Sequence, residues 1–274
     1  MGGFVISAAR DGIPISSILV TNGAEAVIPH AFLAQHGYHA KLTTPEICRL
    51  RGAVRVSEAR EEAHRLGLSD GSVILLQKQT WFTEHRTPDN ALNSDGSLCD
   101  VDRFKHGPLK SESIYEIQEL LNNAKGSNIL FAVPAPHDRQ LMHRITTALV
   151  VKALSLLPDI DFKRFKLLIY KCLSTTKWKE SENHIAIGFG EEIMSRKCFA
   201  INANESMKTR RKIIGGYANK GRDFYDVIIR SKNSADAQKY KLKEPYAECF
   251  QCCNVPSNMW HALKQWAETW DVVD

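Results

Sequence analysis

Between Ile15 and Leu173 the chain alternates short, branched apolar runs with longer helical patterns, and that alternation limits the fold more than any other feature. The runs "ISSILVTNG" (Ile15 to Gly23), "SVILLQ" (Ser72 to Gln77), "NILFAVPAP" (Asn128 to Pro136) and "FKLLIYKCL" (Phe165 to Leu173) each have the form of a buried strand. Helical patterns separate them. "GGFVISAARDG" places Phe4, Val5, Ala8 and Ala9 at helical spacing before an Asp11-Gly12 stop. "TTPEICRLRGAVRVSEAREEAHRLGL" has Thr44 as N-cap and Pro45 at the first helical position, and it ends at Gly67. "SESIYEIQELLNNA" carries the stripe Ile114, Ile117, Leu120 and Leu121, and "RQLMHRITTALVVKALSLL" follows the third strand. Such alternation predicts an α/β fold with a mostly parallel sheet, helices on both faces and ligands bound outside the carboxyl ends of the strands.

Beyond Lys177 the pattern loosens. "HIAIGF" predicts a strand, "EEIMSRKCFAINANESMKTRRKIIGGY" a helix and "SNMWHALKQWAETW" a terminal amphipathic helix. Residues 82 to 110, rich in Pro, Asn, Asp and Gly, form a loop longer than a connector needs. We divide the chain into an α/β domain over 1–245 and a helical tail over 246–274.

A chain of 274 residues with 43% hydrophobic content can bury a sizeable core. It contains no run of about 18 apolar residues to span a bilayer. The start "MGGFVISAARDG" lacks the parts of a signal peptide, so a cytoplasmic location is expected. Seven cysteines without framework spacing suit reduced thiols, and "CFQCC" (Cys249, Cys252, Cys253) has no second pair at zinc-finger spacing. Net charge is +5, and "MKTRRK" (Met207 to Lys212) is the only dense basic run. A solvated helix face accounts for it better than a phosphate-binding patch, which leaves nucleic-acid binding through Lys208, Arg210, Arg211 and Lys212 as the weakest reading. His30, His36 and His39 read as loop histidines, Asp100 and Asp102 as solvated loop carboxylates, and Trp260, Trp266 and Trp270 as a packing stripe.

The stretch "PHDRQLMHR", Pro136 to Arg144, concentrates chemistry at the end of the third strand. His137 and His143 are six apart, so a shared helical face does not follow. A catalytic zinc takes three protein ligands and a water. His143 with His137 or Asp138 supplies part of such a set, and a histidine that only caps or packs fits these residues equally well.

The order of segments resembles the LmbE/PIG-L family of zinc-dependent de-N-acetylases. "MGGFVISAARDGIPISSILVTNG" is similar to the family's first helix and second strand, and "RVSEAREEAHRLGL" to its R-x-x-E helix. "PHDRQLMHR" is similar to its "PHDRHPDHR" segment, "KCFAINANESM" to "K-x-x-A-I-x-A-H-x-S-Q" and "YAECF" to a terminal "YAEAF". The resemblance implies a Rossmann-like α/β fold and an amide hydrolase acting on N-acetylated sugars or glycoconjugates. It also implies a zinc ion whose third ligand matches His143, and substrate contacts from Arg55 and from Glu25, which adjoins Ala24 where many members carry a glutamate.

This sequence departs from the family in ways that bear on activity. Residue 1 falls where the family is already past its first strand and "HPDD" motif, which supplies two zinc ligands and the general base, so the first strand is expected to be missing. Gln140-Leu141-Met142 replaces the His-Pro-Asp of "HPDH"; Gln140, at the position of the acid histidine, donates a hydrogen bond but exchanges no proton near neutral pH. Asn204 stands where a later histidine is expected. The expectation is therefore a zinc-dependent de-N-acetylase by resemblance, impaired or inactive, with a non-catalytic sugar-binding homologue as the alternative.

Overall fold

In the computed structural model the described residues are 1–21, 34, 44–78, 109–124, 129–138, 141–158, 164–172, 184–206, 224–254 and 257–273. The loop histidines 30, 36 and 39, the stretch 82–108, Gln140, Glu25 and the basic run 207–212 lie outside them. By contact, the chain divides into two compact units, Met1–Asp100 with Ile187–Glu248 and Val101–Ala186 with Cys249–Asp274.

In the first unit, α1 (Gly2–Arg10) ends in a Schellman turn. Gly12 takes the left-handed conformation at φ 72° while the N–H groups of Gly12 and Ile13 donate to the carbonyls of Ala9 and Ala8. The same device ends α2 (Thr44–Leu66), with Gly67 at φ 97° and the N–H groups of Gly67 and Leu68 donating to His64 and Ala63. Strands β1 (Ser17–Thr21) and β2 (Val73–Lys78) pair in parallel, Ser17 opposite Val73 and Ile18 opposite Ile74, with a register shift between Leu19 and Thr21. A parallel pair needs a crossover long enough to return the chain, and α2 lies in it.

Helix α1 buries Gly3, Val5, Ile6 and Ala8, whereas Phe4 and Ala9 of the expected stripe stay partly exposed. The face is turned because Ile6 joins the core of Phe189, Ile193, Met194, Cys198 and Ile229. Those residues come from β6 (His184–Phe189), α5 (Glu191–Ile201) and α6 (Phe224–Lys239). A second cluster packs Val5, Ala63 and Leu68. Helix α6 closes in a third Schellman turn, with Lys241 rather than glycine at φ 52°.

In the second unit β4 (Ile129–Pro134) pairs in parallel with β5 (Phe165–Tyr170), Ile129 opposite Phe165 through Pro134 opposite Tyr170. Strand β5 pairs on its other side with β7 (Tyr246–Asn254), antiparallel, Lys166 opposite Asn254 through Tyr170 opposite Phe250, and β6 follows β7 in strand order. The sheet is thus mixed, partly antiparallel where a mostly parallel one was expected. Tyr246–Asn254, assigned from sequence to a helical tail, is a strand. A short parallel pair joins β3 (Leu109–Lys110) to β8 (Val272–Val273).

Helix α4 (Leu141–Ser155) buries Ile145, Ala148, Leu149, Val150, Val151, Ala153 and Leu154, an apolar surface on nearly all sides. It packs against β4, α3 (Ser111–Asn123) and α7 (Asn258–Glu268), which explains why amphipathicity is weak there. Helix α7 is capped by Ser257, whose hydroxyl accepts from the N–H of Trp260 at 3.2 Å. Trp260 and Trp270 are buried and Trp266 meets Trp270 edge to face, the packing stripe expected of them. No helix among the described residues is long and apolar enough to cross a membrane.

Candidate functional site

Because β4 and β5 run in parallel, their carboxyl ends lie side by side. The chain leaves β4 through a tight turn, in which the N–H of Asp138 donates to the carbonyl of Ala135, and α4 begins at Leu141. Asp138 thus follows one strand end, Cys172 follows the other, and His143 stands in the first turn of α4. Carboxylate, imidazole and thiol all lie within 4.8 Å of one another. Asp138 is 1% exposed, whereas the His143 side chain is 32% exposed and Cys172 is half-buried, so solvent reaches one side of the group.

Nδ1 of His143 stands 3.1 Å from Oδ1 of Asp138. At that distance imidazole and carboxylate form a close pair on the buried side of the ring. Burial alone pushes the imidazole towards its neutral form. Asp138 and Cys172 more than reverse this and raise its pKa to about 9.

Thr147, one turn further along α4, donates its hydroxyl to the carbonyl of Pro134 at 2.7 Å, with the carbonyl of His143 at 3.1 Å as its alternative. That ties the first turn of the helix to the last residue of β4. Placement on two strand ends and a helix start gives the three donors a rigid base.

One oxygen, one nitrogen and one sulfur donor is a set that zinc accepts, with a fourth position left for water. The convergence of three donor atoms within 4.8 Å is the observation that fits a cation best. His137 is exposed and is not among the three clustered donors. Cys172 carried no weight in the sequence reading. Its signal is positional: it follows the end of a strand parallel to the one that precedes Asp138.

A second polar cluster lies in the first unit and draws together residues of separate sequence motifs. Nη1 of Arg55 donates to Oε2 of Glu58 at 2.8 Å and to Oδ1 of Asn204 at 2.9 Å. Glu58 also accepts from the N–H and the hydroxyl of Ser206, both at 2.7 Å. Nδ2 of Asn204 donates to Oε2 of Glu62 at 2.7 Å. Burial pushes the Glu62 carboxyl above its ordinary range, although Asn204 and Arg55 oppose the shift. Asn204 therefore serves as acceptor and donor at once, which suits a neutral amide between a cation and a carboxyl.

Lys197 and Glu248, from two further motifs, meet in the interior at 2.6 Å. Glu248 also accepts from the N–H groups of Gly3 at 3.1 Å and Phe4 at 2.8 Å. Arg55 and His143 thus have defined surroundings, while Glu25 and Gln140 lie outside the described residues.

No protein-family model and no curated protein sequence matches the chain. Solved structures do. The zinc-inhibited form of teicoplanin deacetylase Orf2 is similar at a TM-score of 0.57 and 14% identity, over 92% of this chain and 91% of that one. A deacetylase-bog complex from the teicoplanin biosynthesis pathway is similar at 0.55 and 14% identity, over 92% and 91%. The A40926 pseudoaglycone deacetylase Dbv21 is similar at 0.52 and 13% identity, over 94% and 92%. Identity this low speaks to architecture alone, and on that ground the chain has the mixed α/β fold of these deacetylases.

Proposed function

We propose that the chain is a LmbE/PIG-L-type protein, a zinc-dependent de-N-acetylase acting slowly on N-acetylated sugars or glycoconjugates, working in the cytoplasm, which cysteines scattered without framework spacing support. One observation carries the reading: Asp138, His143 and Cys172 gather at the carboxyl edge of a parallel strand pair, in a fold similar to that of the teicoplanin deacetylase Orf2. The pairing of Arg55 and Glu58 with Asn204 and Ser206, and of Lys197 with Glu248, supports it further, because each joins stretches that resemble separate family motifs.

Bound zinc supplies Lewis-acid polarisation of the amide carbonyl and a water acidified towards neutrality. His143, with the Asp138 carboxylate beside it, would hold the metal. The resemblance assigns substrate contacts to Arg55, which Glu58 and Asn204 hold, and to Glu25. Gln140, at the acid position, hydrogen-bonds the amide without delivering a proton to the departing amine, which keeps turnover low.

The test is acetate release from N-acetylglucosamine conjugates by zinc-loaded protein. His143→Ala should abolish both metal and acetate. Gln140→His should raise the rate by about 100-fold if an acid is restored. A folded, metal-loaded protein that releases no acetate, and gains nothing from histidine at 140, rejects hydrolysis. Retained sugar binding would then favour the non-catalytic homologue, a reading supported by the glutamine at the acid position.

A further inference from the structure

We propose that Cys172 is a thiolate ligand, completing with Asp138 and His143 an oxygen, nitrogen and sulfur centre for one thiophilic divalent cation. The inference rests on the reading of His143 as a metal-holding residue and deepens it, turning the nearness of Cys172 into direct ligation by its thiolate.

Three observations carry it. All three donor atoms fall within 4.8 Å of one another, within reach of a single ion. They sit on separate pieces of backbone, a post-strand turn, a helix start and a second strand end, so no local sequence accident brings them together. Nδ1 of His143 stands 3.1 Å from the Asp138 carboxylate, so nitrogen and oxygen already converge beside the thiol. A thiolate changes what the centre prefers: sulfur with imidazole favours zinc or cobalt over magnesium, calcium or manganese. Ligation also makes Cys172 a metal-protected thiol, because the lone pair that would attack an alkylating agent is engaged.

The full chain is loaded with Zn²⁺ or Co²⁺ alone, and metal content, the Co²⁺ absorption spectrum and alkylation of Cys172 by iodoacetamide are read. Expected are one ion per chain, a sulfur-to-cobalt charge-transfer band in the near ultraviolet, and alkylation that slows when metal is added. Cys172→Ser should lose the band and weaken affinity by about 100-fold or more, since even partners behind a ligand are worth 10- to 100-fold. A circular-dichroism melt checks that the variant folds, and Asp138→Asn gives a second variant that should also weaken metal but keep the band. Metal bound with unchanged affinity in Cys172→Ser, or no sulfur band in the parent, overturns the inference. Alkylation that is fast and indifferent to metal also overturns it. Acetate release separates the two readings: a sulfur band without acetate rejects only the hydrolase, and acetate unchanged in Cys172→Ser rejects only the thiolate.

Discussion

Glu248→Gln measures how much of the first unit depends on a single carboxylate. Glu248 accepts from the N–H groups of Gly3 and Phe4, from Nζ of Lys197 at 2.6 Å and from the amino group of Met1 at 2.9 Å. Lys197 and Glu248 expose only 7% and 5% of their side chains, and the ammonium also donates to Oδ1 of Asn233 at 2.7 Å. Glutamine keeps one oxygen but turns the other acceptor into a donor, which must face an N–H or the ammonium. A buried cation loses its counter-charge, at a cost of about 3–5 kcal/mol. Against a total stability of about 5–15 kcal/mol this is a large share. At roughly 2–4 °C per kcal/mol for a chain of this size, the melting temperature should fall by about 6–20 °C.

Acid titration gives a second readout of the same residue. Burial pushes the Glu248 carboxyl up, but the Met1 amino group, Lys197 and the Phe4 N–H hold it well below its ordinary 4.5. A carboxyl depressed by folding contributes stability that is fully present above that ordinary value and is lost as pH falls below it. The parent should therefore weaken below about pH 4.5, and the glutamine variant should lack this part of the slope. Thermal and urea melts followed by circular dichroism from pH 7 to pH 3 measure both effects. The double variant Lys197→Met/Glu248→Gln removes both charges, keeps an acceptor for the N–H groups of Gly3 and Phe4, and should recover part of the loss. A glutamine variant melting within about 2 °C of the parent, or a double variant no better than the single, would refute the reasoning.

Two other substitutions run against simple helix propensity. Alanine at Gly3 would place its Cβ 2.7 Å from ring atoms of the buried Phe189, so Gly3→Ala should lose about 1–3 kcal/mol in a urea melt instead of gaining about 1. Lys241 holds a left-handed conformation at φ 52°, and Lys241→Gly should raise stability by up to about 1 kcal/mol, read from the urea midpoint at constant slope.

The elements read correctly from sequence are those whose signals are local. Helix α2 carries its start at Thr44-Pro45 and its stop at Gly67, and β6 is an isolated apolar run, so neither needs distant partners to be recognised. Helix α6 escaped because Ser, Asn and Asp dilute its stripe, and one of its buried residues, Asn233, is polar and bonded to Lys197. Strand β7 escaped because its cysteines read as a thiol cluster, and its pairing with β5 spans most of the second half of the chain. The site divides the same way. His143 and Asp138 belong to one short segment and were visible as a pair. Cys172 joins them only through the strand register that sets Pro134 opposite Tyr170, which no spacing in the sequence encodes.

The Thr147 hydroxyl has one proton and two carbonyls within reach, on Pro134 and on His143 itself. The shorter contact reaches the strand, so a fully buried hydroxyl anchors the helix turn that carries His143 to the end of β4. Removing it would leave a strand carbonyl short of its donor and loosen the footing of the site without touching any of its three donor atoms.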